Sequence, residues 1–126
     1  TLDLEEIESN LCAFNGPNAY VDSNIDQECI EDGCGTFNNP FKTITWALQM
    51  IMPSESNPVT IHLASGTYSS ESGEIFPILM VSDVNLIGQG EEVTILDAQE
   101  TGRVITMENS ANNTISDLTI TYSLSS

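Results

Sequence analysis

Acidic and amide side chains alternate along one short stretch near the start of the chain. Asp22, Asn24, Asp26 and Glu28 place an oxygen-bearing side chain at every second position, and Asp32 follows four positions later. Calcium is held by roughly six to eight oxygen ligands, and clustered carboxylates without a cation repel one another. An EF-hand would need a central glycine and a final glutamate where this chain has neither. Two interpretations stay open, namely a solvated acidic loop pinned by a disulfide and an irregular calcium site formed by these residues.

Three cysteines lie in the polar first third of the chain, and their spacing suggests a disulfide. Cys29 and Cys34 enclose a short loop that lets their sulfur atoms meet across a turn, whereas Cys12 is an alternative partner for either. Disulfides persist in oxidising compartments. The cysteines therefore favour a Cys29–Cys34 bridge and an extracellular or cell-surface location.

Groups that could catalyse a reaction are scattered rather than clustered. Lys42 and Arg103 are the only basic residues besides His62, and they are far apart in the sequence. A polysaccharide lyase would need a basic group beside an acidic sugar, and a glycoside hydrolase needs two carboxylates at a set separation. Asp97, Asp117 and Glu108 lie nearest predicted strands, but as solvated groups at corners. We therefore predict no catalytic residue.

Composition excludes several classes of partner. The chain has 126 residues, of which 40% are apolar, and its formal net charge is −17. This length supports a single domain with a modest core. The charge repels nucleic acids and anionic membranes, and no apolar run approaches the roughly 20 residues of a membrane span.

One amphipathic helix is predicted over residues 40–52. Asn39 followed by Pro40 is typical of an N-cap and a first helical position. Apolar residues then recur at spacings of three and four, and Pro53 ends the pattern. The stripe consists of Phe41, Ile44, Leu48 and Ile51, with Ala47 beside it.

The rest of the chain has the pattern of short strands. Apolar residues two apart indicate strands with one buried face, and two-residue hairpin turns are missing between most of them. Short strands joined by corners without helices favour an all-β solenoid whose coils stack on one another. The predicted strands are Val59–Leu63, Val84–Ile87, Val93–Leu96, Val104–Met107 and Thr114–Tyr122.

An ordered series of motifs resembles the N-terminal region of right-handed parallel β-helix proteins of the pectate-lyase-like superfamily, especially uncharacterised modules of secreted surface proteins. The motifs are Tyr20-Val-Asp-Ser-Asn24, Asp32-Gly-Cys-Gly-Thr36, Asn39-Pro-Phe-Lys-Thr-Ile44, Ala64-Ser-Gly-Thr-Tyr68 and Val84-Asn-Leu-Ile-Gly88. The resemblance implies a short right-handed β-helix over residues 20–126 whose N-terminal end is plugged by the helix. Residues 1–19 would then be an extension that docks as a strand or a helix.

The two ends of such a solenoid suggest a function. The helix covers one end, whereas the last strand is followed by no polar cap, so we expect further coils or copies of the chain to cover it. The residues assigned to this self-association are Leu2, Leu4, Ile7, Leu11, Phe14, Leu118, Ile120 and Tyr122. We expect an extracellular structural or adhesive module that assembles head to tail, as a filament or surface-layer subunit. The alternatives are a carbohydrate-binding module, for which Trp46 and Tyr68 offer a thin sugar platform, and a polysaccharide lyase or hydrolase whose catalytic coils lie beyond Ser126.

Overall fold

The computed structural model describes residues 16–29, 34–98, 103–107 and 110–121. These residues form short strands, one α-helix and one 3-10 turn at Ser70–Ser72. In chain order the elements are β1 (Asn18–Val21), α1 (Ile44–Met50), β2 (Val59–Leu63), β3 (Gly66–Tyr68), β4 (Ile78–Leu79), β5 (Val84–Ile87), β6 (Thr94–Asp97), β7 (Ile105–Thr106), β8 (Thr114–Ser116) and β9 (Thr119–Thr121).

The strands form three parallel sheets that stack coil upon coil. Their orders are β1-β2-β5-β8, β3-β6-β9 and β4-β7. From β2 onward, residues that pair between neighbouring coils are 24 to 29 positions apart in the chain. The coil of β2, β3 and β4 and the coil of β5, β6 and β7 each contribute one strand to each sheet, whereas β1 adds to one sheet and β8 and β9 add to two. The mostly β, solenoid-like fold with one short helix, predicted from the sequence, is confirmed.

Alternation of side chains along the strands builds the core between the sheets. In β2 every second residue is buried, beginning with Val59, and β5 follows the same pattern. The register pairs Ile61 with Leu86, so that one inward residue stacks directly on the next. A shift of one residue would turn every apolar side chain outward, so burial fixes this register.

The helix is shorter than predicted and begins later. Its N-cap is Thr43, whose side chain accepts a hydrogen bond from the Trp46 amide, and not Asn39. The reason is that Phe41 continues the sheet: its amide donates to Tyr20 O at 2.9 Å and its carbonyl accepts from the Asp22 amide at 2.8 Å. A backbone that pairs with β1 cannot also form the first helical turn.

Other strand boundaries also differ from the sequence prediction. The predicted strand at 114–122 is two strands, β8 and β9, because the chain turns a corner at Asp117, which has a φ of 58°. Three strands were missed, namely β1, β3 and β4, and β1 begins two residues before the predicted start of the module. β3 and β4 have only three and two residues, too few to show a period, and β1 has four residues of which only Val21 is β-branched.

The helix covers the first coil from above. Ala19 and Val21 of β1, like Ile44 and Ala47 of α1, are buried in one continuous core. Leu48 is only partly buried, although the sequence places it in the apolar stripe. Within the described part of the chain, no helix is long and apolar enough to cross a membrane.

Candidate functional site

The acidic loop is organised by side chains of the chain itself. Glu28, predicted as a calcium ligand, accepts hydrogen bonds from the Lys42 amide at 2.6 Å, the Thr43 amide at 3.1 Å and the Thr43 hydroxyl at 2.7 Å. The Lys42 ammonium donates to the carbonyl oxygens of Ser23 at 3.1 Å and Ile25 at 2.8 Å. The loop thus surrounds the Lys42 ammonium group. Its Glu28 carboxylate accepts hydrogen bonds from the residues that precede the first turn of the helix.

A second carboxylate, which sequence reasoning missed, completes the helix start. Glu74 is only 3% exposed and accepts from the amides of Ile44 at 2.6 Å and Thr45 at 3.0 Å, and from the Thr45 hydroxyl at 2.9 Å. Burial raises the pKa of this carboxyl, the three hydrogen bonds lower it, and the negative charge of Glu28 raises it. With the Thr43 cap, the first amides of the helix all have acceptors.

The remaining predicted calcium ligands do not converge on one point. Asp22 accepts a hydrogen bond from the Asn24 amide, the Asn24 side chain donates to Ser65 O, and Asp26 lines a separate cavity beside the helix. Asp32 lies outside the described residues. Among the residues that are described, no three His, Cys, Asp or Glu side chains lie close enough together to hold a metal ion. Calcium binding stays a prediction.

The disulfide joins Cys29 to Cys34, with Cα atoms 5.8 Å apart, as predicted. It ties the end of the acidic loop to Gly35, whose carbonyl accepts a hydrogen bond from the Tyr20 amide at 2.9 Å. The bridge therefore anchors the loop that carries Glu28 to the edge of β1. Cys12, the alternative partner, lies outside the described residues.

Three aromatic rings meet on the outer face of the β1-β2-β5-β8 sheet. Tyr20 and His62 pair across β1 and β2, and their rings stack with centroids 4.9 Å apart. Phe37 meets Tyr20 edge to face, with centroids 5.7 Å apart and ring planes at 86°. We call Tyr20, Phe37 and His62 the aromatic corner. His62 lies on the face opposite Ile61 and Leu63, because buried and partly exposed positions alternate along β2.

The aromatic corner borders a cavity of about 430 Å³, within the range of small-molecule sites. Its rim carries Asp22, Ser65 and Gln89. Nε2 of His62 lies 2.9 Å from Oδ1 of Asn18, which fixes the ring plane. Partial burial lowers the pKa of His62, so the imidazole is neutral at neutral pH. Sequence reasoning missed this group because Phe37 is in a loop and no spacing connects it to the strands.

Inward-facing residues of the last coil are poorly covered. In the coil before it, Leu86 and Leu96 have no exposed surface, whereas their partners Ile115 and Ile120 are partly buried and 44% exposed respectively. We call this surface the open end; it consists of Ile105, Ile115, Leu118 and Ile120. Of the residues assigned to self-association, Leu118 and Ile120 belong to it. The others, Leu2, Leu4, Ile7, Leu11, Phe14 and Tyr122, lie outside the described residues.

The sugar platform suggested by Trp46 and Tyr68 is not formed. Tyr68 is completely buried, and its hydroxyl donates to the carbonyl oxygens of Val21 and Ala64. Burial strongly raises the pKa of this phenol. Tyr68 therefore anchors the first coil from inside, and Trp46, which belongs to the helix, is partly buried against the core.

Comparison with known proteins gives a family match over residues 30–123, to the family described as "Protein of unknown function (DUF1565)". This region contains the helix and the strands from β2 to β9. The chain belongs to this family. No curated protein and no solved structure matches it. The match begins at residue 30, so for this DUF1565 member it covers the stacked coils from β2 to β9 and leaves β1 outside.

Proposed function

We propose that this DUF1565 protein is an extracellular structural or adhesive β-solenoid module that assembles with copies of itself through its open end. The observation that carries the proposal is the difference between the two ends of the stack. Helix α1 and the Phe41 bridge cover β1, whereas the inward residues of the last coil have no comparable cover among the described residues.

The stacking itself supplies the physical reason for assembly. Each inward position is buried by the residue above it, as Tyr68 is followed by Leu96 and then by Ile120. Full burial of one aliphatic side chain is worth about 1.5 to 3 kcal/mol. A further layer of parallel strands would bury the open end and pair the edges of β8 and β9.

Charge opposes this assembly and makes it depend on salt. Each copy carries a formal charge of −17, so copies repel one another at low ionic strength. At 0.1 M salt the Debye length falls to about 10 Å, which screens most of this repulsion between ends. We infer that association increases with sodium chloride and with protein concentration.

The extracellular location is supported by the Cys29–Cys34 disulfide. The resemblance to surface-protein β-helix modules of the pectate-lyase-like superfamily agrees with a structural role, since that fold hosts both enzymes and scaffolds. A polysaccharide lyase or a sugar-binding module has less support, because the Lys42 ammonium is bonded to two carbonyl oxygens and Tyr68 is buried.

Sedimentation of the purified chain over a range of salt and protein concentrations tests the proposal. Ile120→Asp places a charge on the open end and is expected to abolish association. Leu79→Asp is the matched control, because Leu79 is an exposed residue of β4 that does not belong to the open end. A wild-type chain that stays monomeric at every salt concentration, or equal loss of association in both variants, would contradict the proposal.

A further inference from the structure

The aromatic corner has two walls that stand at right angles. The ring planes of Tyr20 and Phe37 meet at 86°. The His62 ring stacks on the Tyr20 ring with an angle of 19° between their planes. The negative faces of aromatic rings attract cations within about 6 Å of the ring centroid. All three rings also line the cavity, so a cation bound there lies beside aromatic surface.

Phe37 is held out into solvent by a closed turn. The Gly35 amide donates to Asn39 O at 2.7 Å, and the Asn39 amide donates to both the carbonyl and the hydroxyl oxygen of Thr36. The side chain of Phe37 at the tip of this turn is 77% exposed, the largest exposure among the large apolar residues described. A fixed turn that exposes an aromatic ring at the mouth of a cavity provides a contact surface for a ligand.

The charges at this cavity favour a cation. Asp22 lines the cavity, and the described lining contains neither lysine nor arginine. The Asp22 carboxylate uses one oxygen to accept from the Asn24 amide, which fixes its position at the rim. The neutral imidazole of His62 adds no repulsion at neutral pH, and the net charge of −17 attracts cations from solution.

We propose that the aromatic corner, together with Asp22, binds an organic cation, namely a quaternary ammonium group or the guanidinium or ammonium group of a basic side chain. An anionic ligand would meet the Asp22 carboxylate and the negative field of the whole chain. A neutral apolar ligand would gain nothing from the carboxylate. A small metal ion would find one carboxylate at the rim, whereas a large, weakly hydrated organic cation is matched by ring faces and one negative charge.

The test uses choline and its neutral isostere 3,3-dimethylbutanol as probes, followed by NMR. His62 is the only histidine in the chain, so its ring protons give one unambiguous signal at the site. Choline is expected to shift that signal saturably and the isostere is not. N-acetylarginine amide, compared with its neutral citrulline analogue, is the second arm. Tighter binding of choline assigns a free quaternary ammonium ligand, and tighter binding of the arginine amide assigns a side chain of a basic protein.

Three variants separate the proposed contacts from general attraction to an acidic protein. Phe37→Leu removes an exposed ring without touching the core and is expected to weaken choline binding about threefold. Asp22→Asn keeps an oxygen for the Asn24 amide, removes the charge and is expected to weaken binding about fivefold. Glu92→Gln removes an equal charge from an exposed residue that does not line the cavity and should leave the affinity unchanged. Equal shifts by choline and its isostere, or equal affinities of the Asp22 and Glu92 variants, would overturn the proposal.

Discussion

Replacing Glu74 with alanine tests whether the helix that closes the solenoid depends on a carboxylate from a distant part of the chain. Glu74 is 30 and 29 positions from Ile44 and Thr45, whose amides it accepts. In Glu74→Ala both amides lose their acceptor at a buried site. Each unsatisfied buried donor costs about 1 to 3 kcal/mol.

The loss is partly offset because the buried carboxylate is itself costly to desolvate, as the raised pKa of Glu74 indicates. We expect Glu74→Ala to lower the free energy of unfolding by about 2 to 3 kcal/mol. Glu74→Gln keeps one oxygen for Thr45 but turns an amide nitrogen toward the Ile44 amide, so we expect a loss of about 1 kcal/mol. Glu92→Ala, at an exposed position, should change the free energy of unfolding by less than about 0.5 kcal/mol.

The pH dependence gives an independent check on the same residue. Because the folded-state pKa of Glu74 is raised above the unfolded value, the folded protein binds a proton more tightly, and this stabilisation is fully present below the unfolded pKa. It is lost as the pH rises through the folded-state pKa. The stability advantage of wild type over Glu74→Gln should therefore grow as the pH is lowered from 7 toward the ordinary glutamate pKa.

Urea denaturation of wild type and the three variants at several pH values measures both effects. The comparison with Glu74→Gln removes the contribution of the other carboxylates, which is common to both proteins. If Glu74→Ala unfolds at the same urea concentration as Glu92→Ala, the carboxylate does not hold the helix. A Glu74→Gln penalty that is independent of pH would show that the carboxyl titrates as in the unfolded chain.

Three other perturbations have expected outcomes. Ala47→Asp should lower the melting temperature far more than Leu48→Asp, because Ala47 is completely buried against the first coil and Leu48 is not; equal shifts would mean that the helix packs with its other face. Replacing Cys29 and Cys34 together by serine should cost about 2 kcal/mol, from the loop entropy of a bridge between residues five positions apart, and mass spectrometry of the unreduced wild type should find both thiols bonded. Calcium should raise the melting temperature through Asp22, Asp26 and neighbouring oxygens more than sodium does at matched ionic strength; equal shifts in the two salts would reject a specific site.

The elements that the sequence predicts well are those whose pattern is complete within one element. β2 and β5 have four or five residues each, and buried positions alternate regularly along them, so their period of two is readable. β3 and β4 are too short for that, β1 has Val21 as its only β-branched residue, and all three strands pair with parallel neighbours that supply their hydrogen bonds. The Asn39-Pro40 pair has the local preference for a helix start, but pairing of Phe41 with β1 overrides it.

The candidate sites were harder to predict, because their residues come together only through the stacking of coils. Tyr20 and His62 are separated by a complete helix-containing crossover and become neighbours through the register of β1 and β2. Phe37 reaches them from a loop that the disulfide and the Gly35 carbonyl hold against β1. No sequence period connects such positions, so only the three-dimensional fold shows them to be one site.

The role of Glu28 shows why an acidic pattern alone is a poor guide to metal binding. Alternating carboxylates suggest calcium, yet this carboxylate is bonded to two backbone amides and a hydroxyl at the helix start. A helix N-terminus carries partial positive charge and unsatisfied donors, so it competes with metal ions for carboxylates nearby. The Lys42 ammonium in turn occupies the carbonyl oxygens of Ser23 and Ile25. If calcium binds this loop, it must therefore rely on Asp22 and Asp26 rather than on Glu28, which makes Asp26→Asn more damaging to calcium binding than to folding.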